Sequence, residues 1–159
     1  MVETSRQCGT CSLCCKLPYV KELQKSIDTW CRHCRPGRGG CTIYAERPAT
    51  CRDFICHWLA GLADDVWFPA RCKMVLTRRA DDHVLVTVDP AFPEAWRRQP
   101  YYSTLRDDAS RGVRVQLRIG HRLIRLHADG SEEEVYRSQA HIEGWSEPIA
   151  PAGSASSDE

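Results

Sequence analysis

Cys8-Gly-Thr-Cys11-Ser-Leu-Cys14-Cys15 opens a segment that continues through Cys31, Cys34 and Cys41 and closes at Cys51 and Cys56. Nine of the ten cysteines fall in this first third of a 159-residue chain. Thiols are reactive and oxidisable, so such density needs a common chemical reason, either a disulfide framework or a metal site. Cys8, Cys11 and Cys14 recur at two-residue gaps, the spacing that lets thiolates in a tight loop reach one metal centre. A distant partner, Cys41, Cys51 or Cys56, would complete the set. Cys15 fits a single ion poorly, because adjacent side chains diverge. Its adjacency to Cys14 favours a polynuclear cluster or two nearby metals over one closed tetrahedral zinc. The spacing speaks for metal and says little about which metal.

Outward from this segment, Gly9, Thr10 and Ser12 predict loop and turn passing into a first helical turn. Val20, Leu23 and Ile27 suit one face of a short helix starting after Pro18. Arg35-Pro-Gly-Arg-Gly-Gly40 is a loop whose backbone can come close to a cluster sulfur. Cys41-Thr-Ile-Tyr44 reads as a short extended piece. A helix is then predicted from Pro48 through Cys51 toward Leu62, with Phe54, Trp58 and Leu62 as its apolar stripe. On such a helix Cys51 and Cys56 point well apart, and they converge only if it ends or bends between them.

The second half changes character. Lys73 to Thr77 and Val84 to Val88 read as strands joined at Asp81-Asp82. Short helices or turns follow over Pro90 to Gln99 and Tyr101 to Ser110. Val113-Arg-Val-Gln-Leu-Arg-Ile119 alternates cleanly, with Val113, Val115, Leu117 and Ile119 on one face. Gly120-His121 turns it into Arg122 to His127, and Asp129-Gly130 turns again before Glu133 to Tyr136. This pattern predicts an antiparallel sheet with one wet face.

Taken together, Cys8-x-x-Cys11-x-x-Cys14-Cys15, Gly40-Cys-Thr-Ile-Tyr44, Arg47-Pro48, Cys51-Arg-Asp-Phe54 and Cys56 resemble the YkgJ-type "CxxCxxCC" family, described as a zinc- or iron-chelating domain. The resemblance spans about residues 8–60. It implies metal binding at Cys8, Cys11, Cys14, Cys15, Cys41, Cys51 and Cys56, with Cys31 and Cys34 joining less directly. Ser12 stands where glycine is common in that family. Cys72 lies outside the motif and reads as a buried or free thiol. A similar module accompanies flagellin lysine methylases, where it is linked to an iron-sulfur centre. The C-terminal half here shows no methyltransferase pattern, so that activity is not carried over.

Trp30-Cys-Arg-His-Cys34 matches the opening of thioredoxin-like active sites, but the polar residues before it do not form the buried strand which that fold requires. Ligation is the preferred reading of this pair. His33 and His57 lie beside cysteines and could serve as substitute ligands or supporting donors, but a solvated or packed histidine is the more frequent outcome. His83, His121, His127 and His141 form no close-spaced pair. Arg114, Arg118, Arg122 and Arg125 make a basic sheet face, for which a solvated surface is explanation enough without nucleic acid.

The expected protein is therefore α+β. An irregular cysteine-rich metal-binding lobe (1–62) packs on a small antiparallel sheet with short helices (63–147), and a disordered tail follows (148–159). An iron-sulfur cluster or zinc is held by Cys8, Cys11, Cys14, Cys15, Cys31, Cys34, Cys41, Cys51 and Cys56. The expected roles are metal handling, redox sensing or an accessory function. The alternative is a thiol-disulfide or electron-transfer oxidoreductase, and no carboxylate pair or activated nucleophile names a substrate. The expected partner is the metal ion or cluster, with room for a protein but no nucleic acid or membrane. Without an apolar leader or a membrane-length apolar run the chain is expected to be cytoplasmic, where cysteine density more often means metal than disulfides.

Overall fold

The computed structural model describes residues 5–135. The expected tail at 148–159, His141 and the end of the last strand at Tyr136 lie outside the described residues. Five strands lie in chain order in one sheet: β1 (Met74–Ala80), β2 (His83–Val88), β3 (Arg114–Ile119), β4 (Arg122–Leu126) and β5 (Glu132–Val135). The three hairpin turns fall at Asp81-Asp82, Gly120-His121 and around Asp129-Gly130, as their residue types require.

The sheet is mixed, which corrects the expectation of an antiparallel one. β2 and β3 run parallel, with Val86 opposite Leu117, while the other neighbours are antiparallel. They are joined by the helix α3 (Tyr101–Ser110) rather than by a turn. A crossover of that kind returns the chain to the end where the previous strand began, so the next strand runs in the same direction.

Alternation aligns Leu76, Val86, Leu117 and Ile124 in one row across four strands. They pack with Leu105 of α3, Trp96 and Trp67 in a core whose buried members all lie between residues 67 and 126. The opposite row, Val75, Thr87, Arg118 and Leu123, was expected to be wet on β3. Instead Gln116 and Arg118 are buried, and Arg118 is covered by Leu17 and Asp28 of the N-terminal lobe. Leu13 and Leu17 pack against Val75, each burial being worth about 1.5–3 kcal/mol.

Two expected lobe helices differ from what forms. The segment after Pro18 is a tight loop in which Val20 and Lys25 exchange backbone hydrogen bonds at 3.0 Å, with a single 3-10 turn at Lys21–Leu23. Lys25, 6% exposed, donates through Nζ to the carbonyls of Lys16, Pro18 and Ser26 at 2.8, 2.6 and 2.9 Å. The buried ammonium gathers carbonyl groups that a helix would have used internally. The second of these, α1, covers only Ala49–Asp53, and a one-turn α2 follows at Pro69–Cys72. Phe54 turns extended and sends its ring to the Leu13–Leu17–Val75 cluster, Trp58 stacks on Phe68 at 4.6 Å, and Leu62 is exposed. The three residues of the expected stripe are thus divided among three environments. Cys41 to Tyr44 is likewise not one extended piece: Cys41 pairs with Cys34, and a 3-10 turn starts at Tyr44.

Candidate metal centre

Short turns aim the thiols. A 3-10 turn at Leu13–Cys15 directs Leu13 into the sheet contact while Cys14 and Cys15 face a hollow. Cys31 is tied to this turn by its N–H, which donates to the Cys15 carbonyl at 3.0 Å. Cys41 is set by its pairing with Cys34, and Cys51 by α1. Cys14, Cys15, Cys31, Cys41 and Cys51 line this one hollow together with Val20, Leu23, Lys25, Ile43 and Phe54. Cys34 adjoins it, close enough to hydrogen-bond Cys15. None of the ten cysteines is in a disulfide.

The remaining expected ligands go elsewhere. α1 does end between Cys51 and Cys56, the condition under which those two would converge, yet Cys51 faces the hollow while Cys56 packs with Cys11 near Leu13, Leu17 and Val75. Cys8 is linked to Cys11, whose N–H donates to the Cys8 carbonyl at 2.8 Å. Cys72 is fully buried, its thiol donating to the carbonyls of Met74 and Trp67 at 3.2 and 3.5 Å, which agrees with the reading of a buried thiol.

The electrostatics favour the protonated thiols of Cys15, Cys34 and Cys51 in the absence of a cation. A hydrogen bond donated by the Cys15 thiol to Cys14, then burial, pushes the Cys15 thiol far up. Burial and the neighbouring Cys15 raise Cys34 to about 11, and burial with Cys15, Cys31 and Cys41 raises Cys51 to about 11. Crowded thiols repel one another's negative charge, and a bound cation removes that penalty by releasing their protons. Lys25 brings a positive charge to the wall of the hollow, and burial lowers its own pKa to about 8. The donor set thus fits a thiophilic metal in kind. In spacing it is open: among the described residues no three Cys, His, Asp or Glu side chains are close enough to enclose one ion. The loops carrying the thiols would have to draw inward around the metal.

Several site features escaped the sequence. Lys16, beside Cys15, pairs with Asp89 at 2.7 Å, and Arg118 pairs with Asp28 at 3.1 Å while donating to the Leu17 carbonyl at 2.9 Å. These buried pairs fasten the lobe to the sheet on the C-terminal side of the Cys14-Cys15 turn. Only chain folding brings their partners together, across 73 and 90 residues, so no local signal existed. The loop 35–40 brings its backbone not to a sulfur but to Ser12, whose hydroxyl accepts the Gly37 N–H at 3.3 Å.

Other expectations fare differently. Trp30-Cys-Arg-His-Cys34 forms a turn, the Cys34 N–H donating to the Cys31 carbonyl at 3.0 Å, and no helix begins at Cys31. The basic sheet face is not a continuous free patch, since Arg118 is buried and Arg122 pairs with Glu134 at 3.2 Å. His57 is buried with its Nε2 lacking a partner among the described residues, its neighbouring charges being Arg78 and Asp108 rather than thiols. Among the described residues no helix is long and apolar enough to cross a membrane. No family model, curated protein or solved structure matches the chain.

Proposed function

We propose that this is a metal-binding protein that holds an iron-sulfur cluster or zinc through its clustered cysteines, serving in metal handling, redox sensing or support of another enzyme. The observation that carries this reading is the gathering of Cys14, Cys15, Cys31, Cys41 and Cys51, from four separate stretches of chain, around one hollow with a buried lysine in its wall. Packing alone does not explain five half-buried thiols at one place, whereas soft-metal ligation does. A single zinc takes four ligands, fewer than the thiols at hand, which favours a polynuclear centre.

The test is elemental analysis with a visible spectrum on protein purified without oxygen. Stoichiometric iron and sulfide with broad visible absorption would identify a cluster, and stoichiometric zinc without colour a closed thiolate site. Folded, reduced protein that binds neither after anaerobic reconstitution would overturn the proposal.

A further inference from the structure

Cys34 and Cys41 face each other across a short antiparallel bridge. The hydrogen bonds that define it lie on either side of the pair: the Thr42 N–H donates to the His33 carbonyl at 2.8 Å and the Arg35 N–H to the Gly40 carbonyl at 3.1 Å. The two cysteines therefore form a non-hydrogen-bonded pair, in which opposite Cα atoms come to about 4.5 Å and both side chains leave the same face. That separation falls at the short end of the span of a disulfide, about 4.4–6.8 Å. Among the described residues no other two cysteines are paired across strands. The intervening turn is held in place, since the Gly37 N–H donates to the Ser12 hydroxyl at 3.3 Å and Gly39 lies against the Gly9 carbonyl. Both cysteines are half-buried and Arg35 to Arg38 are exposed, so a small reagent can reach the sulfurs from solvent. Two rivals lie nearby. Cys31 Sγ accepts the His33 N–H at 3.4 Å, which commits it to its own turn. The Cys34 thiol donates to Cys15 in the reduced protein, but no backbone pairing sets the spacing of those two.

We propose that Cys34 and Cys41 are a reversible dithiol–disulfide pair, oxidised by a small-molecule disulfide of the glutathione type. One thiol gives its proton to solvent and its sulfur attacks the reagent, breaking the reagent's S–S bond. A mixed disulfide forms and one small thiolate leaves, taking up a proton. The second cysteine then attacks the mixed disulfide, forming the Cys34–Cys41 bond and releasing the second small thiol. Two electrons pass from the cysteine sulfurs to the reagent, and an excess of small thiol reverses both steps. A link across so short a spacing, within reach of solvent, belongs to the readily reduced class. Closing it withdraws Cys41 from the wall of the hollow and Cys34 from Cys15. This consequence rests on the reading of the hollow as a metal centre, whereas the link itself does not.

The test treats the full reduced chain, freed of metal by a chelator, with glutathione disulfide in the absence of oxygen, blocks the remaining thiols and maps the links by mass spectrometry after trypsin. Cleavage after Arg32 and Arg38 places Cys31, Cys34 and Cys41 on separate peptides, and fragmentation distinguishes Cys41 from Cys51. The expected main product joins Cys34 to Cys41, disappears with dithiothreitol and does not form in C34S or C41S. A main link from Cys34 to Cys15 or Cys31, glutathione adducts without an internal link, or a mixture without preference would overturn the pair. The second measurement is zinc uptake, which should fall in the linked protein and recover on reduction; equal uptake in both forms would overturn the consequence for the hollow. A chain that forms the link yet binds neither iron nor zinc when reduced would overturn the metal reading and leave the pair standing.

Discussion

Replacing Arg118 by Met should detach the cysteine lobe from the sheet while leaving the sheet folded. The Arg118 side chain is 4% exposed and that of Asp28 15%. The guanidinium donates to both Asp28 carboxylate oxygens at 3.1 and 3.3 Å, to the Leu17 carbonyl at 2.9 Å and to the Gly120 carbonyl at 3.0 Å. Removing one member of a buried ion pair costs about 3–5 kcal/mol, chiefly because the other charge is stranded. Water can reach one edge of Asp28, so the cost belongs at the lower end, about 3 kcal/mol, or roughly two powers of ten in the equilibrium that opens the lobe. Hydrogen exchange reads this locally. The amides of Asp28 and Cys31, bonded to the Leu17 and Cys15 carbonyls at 3.2 and 3.0 Å, should exchange roughly 100-fold faster, while amides in α3 change little. Adding Asp28→Asn removes the stranded charge and should recover about half of the loss. Asn is the suitable replacement because Asp28 has φ +55°, which Asn and Asp adopt more readily than other side-chain-bearing residues. Wild-type exchange at Asp28 and Cys31 in the single variant, or a double variant no better than the single, would refute the argument.

Two further perturbations probe the lobe and the sheet core. Gly39 and Gly37 both have positive φ, but a Cβ at Gly39 would meet the Gly9 carbonyl oxygen at 2.7 Å whereas one at Gly37 meets open space. Gly37→Ala should therefore cost only the backbone term of about 1–2 kcal/mol. Gly39→Ala should cost clearly more and weaken metal retention by pushing the loop off Gly9 and Thr10; equal melting temperatures for the two would count against that contact. Burial raises the Cys72 thiol from its ordinary 9.0 to about 11. Its contribution to stability, about 2–3 kcal/mol by linkage, is then fully present below pH 9 and lost as pH rises through 11. In metal-free protein the urea-midpoint gap between wild type and Cys72→Ala should narrow over that interval, and a gap independent of pH would contradict the burial argument.

The sequence made the hairpins legible because turn residues and period-two alternation are local. Ile119 and Arg122, paired in the β3–β4 hairpin, are separated only by Gly120-His121. The direction of β3 against β2 was hidden, since Val115, Leu117 and Ile119 alternate identically in either orientation. The burial of Arg118 was hidden for a related reason: a polar residue on an alternating strand reads as solvent-facing until a distant carboxylate such as Asp28 covers it. The stripe Val20, Leu23 and Ile27 gave a helical period, but the buried Lys25 ammonium, which no period encodes, closed a loop there instead. At the candidate site the residue types and their concentration were evident from spacing. Their division between the hollow and the β1 contact depends on where α1 stops, and propensity does not fix the last residue of a five-residue helix.

The core beneath α3 draws its buried members from residues 67–126 and none from the cysteine segment. Folding is thereby layered: the sheet can complete one face first and serve as the platform on which the lobe is later closed. A chain that lost its lobe contacts would not become a random coil. It would remain half-native and expose Val75, Leu123 and the Arg118 charge on a formerly covered face, a surface prone to association and open to proteolytic surveillance. If a metal closes the lobe as proposed, its supply would then govern the protein's abundance.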